Sequence, residues 1–368
     1  MPSPRRPPAR RRRVADHPAA SPGPGPASGE AALDDWLSRP GADLPAVLDA
    51  LGGDIVVLGA GGKMGPSLAR MARRALDAAG SRARVVAVSR FGGRPEGNAE
   101  MRALREAGVE TVRADLVDRA DVARLPDAPN VVYMAGQKFG TRDRPSVTWA
   151  MNAYAPVLCA ERYAGARASV FSTGNVYALT PAAGPGAREA DEPRPVGEYA
   201  MSCLARERLW EHFSERHGTR LSIVRLNYAT ALRYGVLTDL ARRVAAGEPV
   251  ALDMGAVNVI WQGDANRLAL LALGRASRPA FVVNVTGPET LSVRALALEL
   301  GRRLGRAPIF TGAEAPDALL SDTTRMRTQL GHAEVSVAEL LDWTAAWVRR
   351  GGALLDKPTR FEVRDGAF

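Results

Sequence analysis

The stretch Asp54-Ile-Val-Val-Leu-Gly-Ala-Gly-Gly-Lys-Met-Gly65 decides the fold. It opens with an apolar run typical of a buried parallel strand, and Ser67–Ala79 follows with the apolar spacing of an amphipathic helix. Gly59, Gly62 and Gly65 fall in the turn between them. At these positions glycine permits a tight turn, close approach of a pyrophosphate, and close packing of helix on strand. The pattern predicts dinucleotide binding at the helix N-terminus rather than an ordinary glycine-rich turn.

The rest of the chain continues the alternation of strand and helix. Short strand-like runs lie at 84–88, 110–113, 130–134, 168–171 and 221–225. This alternation predicts an α/β fold, a Rossmann-type doubly wound parallel sheet with helices on both faces. Segments around 180–195, 232–259 and 281–331 break the pattern, and we expect a smaller, discontinuous substrate-binding cap there. We expect the following regions: a disordered Arg- and Pro-rich head (1–30), a helical prelude (31–53), the dinucleotide-binding domain (54–230), mainly the cap (231–350, with 180–195), and a C-terminal tail (351–368).

Composition excludes several classes of protein. The 368 residues are 46% hydrophobic and 24% charged, which are globular proportions. No apolar run approaches the roughly 18 residues of a membrane-spanning helix. Two cysteines and four scattered histidines favour neither a disulfide framework nor a metal site. We therefore expect a cytoplasmic protein that holds no metal and contacts no membrane.

The first 30 residues carry +4 of the net charge of +9, because six arginines lie within the first 13 residues and only Asp16 and Glu30 oppose them. A proline-rich segment of this kind cannot bury a core, so we expect a solvated head. Nucleic-acid binding through it is the less favoured alternative.

The end of the second strand indicates the type of cofactor. Ser89 and Arg90 stand there, and no acidic residue follows until Glu96. A carboxylate would accept the ribose hydroxyls of NAD, whereas a guanidinium pairs with a 2′-phosphate. NADP is therefore the predicted cofactor, and NAD remains possible because Arg90 could be a solvated surface residue. Asp115, followed by Leu116, could accept from an adenine amino group or could cap a helix.

Further motifs follow in order: Val131-Val-Tyr-Met-Ala-Gly136, Phe171-Ser-Thr-Gly-Asn-Val-Tyr177 and Glu198-Tyr-Ala-Met-Ser-Cys-Leu204. With the glycine turn, they make roughly residues 54–350 resemble the extended short-chain dehydrogenase/reductases, the NAD-dependent epimerase/dehydratase family. The second motif is similar to that family's Ser-Thr-x-x-Val-Tyr signature, and the third to its Tyr-x-x-x-Lys helix. Short segments at 225–227, 260–264 and 284–288 also match.

The resemblance implies roles for individual residues. Tyr199 is the expected acid/base, and Thr173 the expected hydrogen-bond partner of the reacting substrate oxygen. The cofactor is expected along Gly59, Gly62, Lys63, Met64, Gly65, Ser89, Arg90, Asp115, Leu116, Ala135, Gly136, Lys138, Asn152, Tyr199, Cys203 and Leu226. The substrate is expected near Asn175, Asn227, Asn258, Trp261 and Gln262.

One departure from the family pattern affects catalysis. Cys203 stands where the family has lysine, and a thiol supplies neither the positive charge nor several strong donors. We expect Lys138, or an arginine such as Arg142, to take over part of this electrostatic role. The alternative is a catalytically weak NADP(H)-binding sensor or regulatory protein, which Cys203 favours. A nucleophilic role for Cys203 is the least favoured.

A second departure concerns the substrate. Family members that act on sugar nucleotides carry an arginine shortly before the 260–264 segment, whereas this chain has Ala256-Val-Asn-Val259. Loss of that anchor for a diphosphate argues for a free sugar, a sugar acid or a similar polyol. Trp261 could stack on a sugar ring or could be core packing. We therefore expect an NAD(P)-dependent oxidoreductase, epimerase or dehydratase, and the resemblance implies that it forms a homodimer.

Overall fold

Seven parallel strands form the central sheet in a computed structural model that describes residues 25–92, 98–140, 143–355, 357 and 359–367. Their order across the sheet is β12-β7-β5-β4-β1-β2-β3. Their bounds are β1 (Ile55–Leu58), β2 (Val85–Ser89), β3 (Glu110–Arg113), β4 (Asn130–Tyr133), β5 (Arg167–Thr173), β7 (Arg220–Leu226) and β12 (Phe281–Val285). The strand order reverses between β1 and β4, where open α/β sheets hold ligands beyond the carboxyl ends of the strands. The predicted α/β class and doubly wound sheet are confirmed.

The helices follow the predicted alternation. They are α1 (Glu30–Leu37), α2 (Leu44–Leu51), α3 (Gly65–Ala78), α4 (Ala99–Glu106), α5 (Arg119–Ala123), α6 (Pro145–Trp149), α7 (Ala155–Arg162), α8 (Gly197–His217), α9 (Val236–Ala246), α10 (Gln262–Leu273), α11 (Val293–Leu304), α12 (Thr324–Gln329) and α13 (Val337–Arg349). Short 3₁₀ turns form at Pro26–Ser28 and Gly174–Val176, and a π-helical turn at Ala150–Tyr154 joins α6 to α7.

The middle of the sheet is buried on both faces, because β1 is a continuous apolar run in which every residue is buried. Along β1, Ile55 and Val57 enter the core beneath α2, α3 and α10. Val56 and Leu58 enter the opposite core, beneath α7 and α8. This alternation follows from the two-residue period of a strand. The two helical layers fix the end of β1 and the start of α3, where the glycine turn lies.

A second core lies beside the sheet, around α9, α11 and α13. Short strands pair around it: β6 (Thr180–Pro181) with β15 (Asp317–Ala318), β8 (Ala229–Thr230) with β11 (Ile260–Trp261), β9 (Pro249–Ala251) with β14 (Ile309–Thr311), and β10 (Ala256–Val257) with β13 (Leu291–Ser292). We call this region the cap. Helix α13 begins with a capping box between Ser336 and Glu339.

Two sequence-based assignments need correction. β12 was expected in the cap, but it is an edge strand of the central sheet, because Val283 and Val285 bury their side chains beside β7. Residues 25–30 were expected in the disordered head, but they are structured, and Arg350 donates to the carbonyl of Ala27. Residues 1–24 lie outside the described part of the chain.

Across the described ranges, no helix is both long and apolar enough to cross a membrane. Within the same ranges, no group of three or more His, Cys, Asp or Glu side chains is placed to hold a metal ion.

Candidate active site

The glycine turn after β1 is tightly constrained at two positions and open at a third. Gly59 has φ +87°, and a Cβ there would lie 2.5 Å from the backbone nitrogen of Ala135. A Cβ on Gly65 would overlap the carbonyl of Ala60. At Gly62, by contrast, the nearest atom would be 3.4 Å away and the residue is exposed. The turn therefore leaves space beside the N-terminus of α3, which begins after Met64 and which no described side chain caps.

The segment after β4 is held against α8 by Asn152. Its side-chain oxygen accepts from Gln137 N and Arg206 Nη2, both at 2.8 Å, and its amide donates to Ser202 Oγ at 3.0 Å. A Cβ on Gly136 would lie 2.7 Å from Arg206 Nη2, so only glycine fits above this guanidinium. Asn152 is fully buried, and its amide also donates to the carbonyl of Gln137 at 2.9 Å, so it holds the backbone of the residue that follows Gly136.

Thr173 and Tyr199 meet at the carboxyl edge of the sheet. Thr173 is the last residue of β5, and its hydroxyl oxygen accepts from Asn175 Nδ2 at 3.0 Å. Tyr199, in the first turn of α8, forms side-chain hydrogen bonds with Thr173 and with Cys203. Burial raises the pKa of Tyr199 above its usual value, Cys203 raises it further, and the positive charge of Arg206 opposes the rise.

Arg206 supplies a buried positive charge that the sequence analysis missed. It lies seven residues after Tyr199 and three after Cys203, on one face of α8. Its Nη1 donates to the carbonyl of Phe171 at 2.9 Å, and its charge opposes the burial that raises the pKa of the Cys203 thiol. The seven-residue spacing between Tyr199 and Arg206 could have indicated this charge from the sequence, because residues seven apart share a helix face. Cys203 is fully buried and its raised pKa keeps the thiol protonated.

Two lysines lie close together near the same site. Lys138 Nζ donates to the carbonyl of Thr359 at 3.2 Å, and burial lowers its pKa to about 8 against the opposing effect of nearby acidic groups. Lys63 Nζ donates to the carbonyl of Ala229 at 2.8 Å and sits 4.0 Å from the ring centre of Tyr234. Burial, together with the charge of Lys138, lowers the pKa of Lys63 to about 7. Arg142, the other sequence candidate, lies outside the described residues.

Residues expected around the adenosine half lie at the ends of β2 and β3. A Cβ on Gly61 would lie 2.5 Å from Ser89 Oγ, so that hydroxyl borders the glycine turn. Arg90 is exposed. The Asp115 carboxylate accepts from the backbone of Val117 at 3.2 Å, which is a local turn contact, and Leu116 packs into the core beneath α7.

Asn175 and Asn227, both expected near the substrate, lie beside Thr173 and Gly174. Gly174, between Thr173 and Asn175, would place a Cβ 3.2 Å from Asn227 Cγ. Asn227 Nδ2 donates to the carbonyl of Leu319 at 3.1 Å, which joins the sheet edge to the cap. Leu226, at the end of β7, pairs in register with Thr173.

The other three residues expected near the substrate lie in the interior of the structure. Trp261 is 2% exposed and packs edge-on against Trp343, with ring centres 5.5 Å apart. Gln262 donates to Ser67 Oγ at 3.1 Å, inside the α3–α10 contact. Asn258 uses both ends of its amide within the cap, donating to Glu289 O at 2.9 Å and accepting from Ser321 N at 2.8 Å. Ile260 packs into the core of the central sheet and Trp261 into the core of the cap, so this segment runs between the two cores.

A buried ion pair below the catalytic residues was not predicted. Arg225 on β7 binds Glu207 on α8, with Nη2 to Oε2 at 2.7 Å, and both side chains are almost completely buried. Arg225 Nη1 also donates to the Tyr177 hydroxyl at 2.7 Å, which in turn donates to Asn284 Oδ1 at 2.8 Å. Tyr177 is therefore structural, and the network fixes α8 against the sheet.

Comparison with known proteins agrees with this geometry. The sequence profile of the NAD dependent epimerase/dehydratase family matches residues 55–270. No curated protein matches the chain.

Several solved structures are similar. MoeE5 in complex with UDP-glucose and NAD is 23% identical, covers 81% of this chain and 99% of its own, and gives a TM-score of 0.65. UDP-glucose 4-epimerase from Thermotoga maritima with UDP-glucose is 19% identical, covers 81% of this chain and 99% of its own, and gives a TM-score of 0.66. UDP-glucuronic acid 4-epimerase from Bacillus cereus with NAD is 18% identical, covers 81% of this chain and 99% of its own, and gives a TM-score of 0.65. At these identities the likeness establishes the shared fold, while the profile match confirms the resemblance inferred from the sequence. The chain belongs to the NAD-dependent epimerase/dehydratase family and is an enzyme of that type.

Proposed function

We propose that this enzyme transfers a hydride at a carbinol or carbonyl carbon of a sugar, a sugar acid or a similar polyol, with Tyr199 as the acid/base. The observation that carries the proposal is the hydrogen bond between the Tyr199 and Thr173 side chains at the end of β5. Two hydroxyl groups held this close together can both hydrogen-bond to one substrate oxygen. Tyr199 exchanges a proton with that oxygen, and Thr173 donates a hydrogen bond to it as its charge develops.

The residues around the glycine turn fit a nicotinamide dinucleotide. Gly62 leaves open space at the free N-terminus of α3, where backbone N–H groups and the helix dipole favour a pyrophosphate. Gly136 gives a second stretch of backbone without a side chain, beside Asn152 and Arg206. When bound, the cofactor accepts or donates the hydride. The similar structures of MoeE5 and of the Bacillus cereus epimerase contain NAD, which supports this assignment.

NADP is the form we favour. Arg90 is exposed at the end of β2, where a guanidinium would pair with a 2′-phosphate. Titration of the protein with NADP⁺ and NAD⁺ tests this choice. Arg90→Ala should lose most of the preference for NADP⁺, about tenfold or more, whereas Arg119→Ala, which removes an exposed arginine elsewhere, should not.

Arg206 is the cation that we propose in place of the family lysine, with Lys138 as a second contributor. Arg206 shares a helix face with Tyr199 and Cys203, and its charge lowers the pKa of both groups. The tyrosinate that accepts a proton during oxidation is thereby stabilised. Cys203 then needs to supply no charge, which favours an enzyme over the sensor alternative.

The substrate that we propose lacks a nucleotide. The two arginines nearest to the 260–264 segment are engaged elsewhere. Arg243 pairs with Glu362 at 3.0 Å, and buried Arg267 pairs with Asp43 at 2.6 Å. Buried Arg267 is therefore not available as a bidentate anchor for a diphosphate, and Arg243 is available only when its pair with Glu362 is broken.

The partner that we propose is a second copy of the chain. Val147, Tyr154 and Met201 are apolar side chains, 38%, 45% and 45% exposed. They lie on α6, the π-helical turn and α8, three adjacent elements that pack together. A neighbouring set of exposed apolar side chains on regular elements is suited to a helical dimer interface.

Replacing each of the two signature tyrosines tests the assignment. Tyr199→Phe should reduce hydride transfer by a factor of about 10² to 10⁴ and leave NADP⁺ binding unchanged. Tyr177→Phe should lower stability but leave turnover within a few-fold. The assay is NADP⁺ reduction with free sugars and sugar acids, with UDP-glucose for comparison. Equal turnover of Tyr199→Phe and the wild-type protein would rule out the proposed role.

A further inference from the structure

Residues 359–367, which we call the closing segment, cross from the cofactor side of the site to the cap. At its start, Thr359 donates to Asp239 Oδ2 on α9 from both its backbone nitrogen, at 2.8 Å, and its hydroxyl, at 2.6 Å. The Thr359 carbonyl accepts from Lys138 Nζ at 3.2 Å. One residue thus joins the loop after β4 to the cap.

The segment remains attached along its length. Phe361 is 4% exposed, and Glu362 pairs with Arg243 on α9 at 3.0 Å. Arg364 Nη1 donates to the carbonyl of Asp317 at 2.9 Å. At the far end, a Cβ on Gly197 would lie 2.5 Å from the carbonyl of Gly366. The segment therefore ends against the first residue of α8, two residues before Tyr199.

This path closes the substrate side of the catalytic pair. Asn175 and Tyr177 line a cavity of about 40 Å³ whose opposite wall includes Val363, Arg364 and Gly366. A ligand site commonly measures about 300 Å³ or more, and a single water takes up about 30 Å³ of liquid. With the segment in place, the space beside Asn175 admits water but no sugar.

The contacts that hold the segment are suited to opening. The Arg243–Glu362 pair is about one quarter exposed on each side, and partly solvated pairs of this kind are weak. The remaining attachments are mainly polar, at Thr359 and at Arg364, and Phe361 is the one buried apolar side chain among residues 359–367. Segments with few apolar contacts open at a lower cost than the core unfolds.

We propose that the closing segment is a strap that occupies the substrate space, and that substrate binding displaces it. Lys138, released from the Thr359 carbonyl, then presents its ammonium group to a substrate oxygen. This inference rests on the proposed function for the identity of the substrate, but the closure itself does not depend on it. Because only the open state binds, the apparent dissociation constant equals the intrinsic one divided by the open fraction.

An accessibility experiment tests the strap without substrate or cofactor. Asn175→Cys places a thiol in the small cavity, while the two native cysteines are buried. We expect DTNB to modify this thiol slowly in the full chain. Arg243→Glu opposes two negative charges across the strap and should speed modification about tenfold. Restoring an opposite pair with Arg243→Glu/Glu362→Arg should return the rate to its starting value.

Two further variants complete the design. Arg242→Glu changes the same charge at the neighbouring position of α9, where the partner is Glu248 at 3.1 Å, and should leave the rate unchanged. Thr359→Val removes the hydroxyl bond to Asp239 and should also speed modification. A rate that is fast in the starting protein, or equal in all variants, would overturn the strap. Failure of the proposed function would appear separately, as slow modification with normal response to the variants but no hydride transfer to any sugar.

Discussion

Arg206 donates a hydrogen bond of 2.8 Å from Nη2 to Oδ1 of Asn152, and this buried contact holds a cation beneath the segment that follows β4. Arg206 also shares a helix face with Tyr199 and Cys203. We propose that this charge replaces the lysine that the family carries four residues after the tyrosine, one helical turn earlier on α8. Buried charge acts strongly here because little water screens it.

Replacing Arg206 by methionine should shift the pH dependence of catalysis. Arg206 lowers the pKa of Tyr199, so its removal raises that pKa further above its usual value. Oxidation requires ionised Tyr199, so the pH at which the oxidation rate rises should be higher in the variant. At pH values below this rise, the variant should be about tenfold slower than the wild-type protein. Arg206→Lys should keep the wild-type limb. A variant that loses stability without any movement of the limb would assign Arg206 a structural role only.

Glu207→Gln should destabilise the fold strongly. The substitution leaves the buried Arg225 guanidinium without its carboxylate, which costs roughly 3–5 kcal/mol of the free energy of unfolding. Urea unfolding measures the loss. Glu211→Gln, which removes the partner of the surface residue Arg208, is the matched control and should cost less than about 1 kcal/mol. Equal effects of the two substitutions would contradict the role given to the buried pair.

Lys63→Met should change how stability depends on pH. The pKa of Lys63 is lowered from 10.5 to about 7 by burial and by Lys138. Between these values the unfolded chain binds the extra proton, so this group makes the free energy of unfolding rise with pH. The wild-type protein should therefore gain stability relative to Lys63→Met from about pH 7 to 10. Lys357→Met, at an exposed lysine, should track the wild type, and parallel curves for all three proteins would contradict the assignment.

Met201→Asp should dissociate the proposed homodimer. A carboxylate at the centre of an apolar helical interface loses its hydration, so the dimer dissociation constant should rise about a hundredfold. Sedimentation velocity measures the change. Leu298→Asp replaces a comparably exposed leucine on α11, in the cap, and should have no effect. If the wild-type protein sediments as a monomer, the dimer is refuted.

Local sequence patterns predicted much of the fold. The apolar run at 55–58, the glycine turn and the helix after it are short-range features, and each element formed within a few residues of its predicted place. The assignment of Thr173 and Tyr199, which stays a prediction, was made in the same way, because each lies in a motif of seven residues. A strand period of two and a helix period of 3.6 are properties of the backbone and need no tertiary information.

Contacts between distant parts of the chain came only from the tertiary structure. Lys138 and Thr359 are separated by 221 positions. Arg225 and Glu207 read in the sequence as unrelated charges, and Trp261 was equally consistent with a sugar platform or with packing. Side-chain partners depend on which surfaces the elements bring together, and periodicity does not encode this. The sequence by itself therefore determined the sheet, the glycine turn and the proposed catalytic pair. Burial and long-range packing decided the proposed replacement cation, the ion pair between Arg225 and Glu207, and the segment that we propose closes the site.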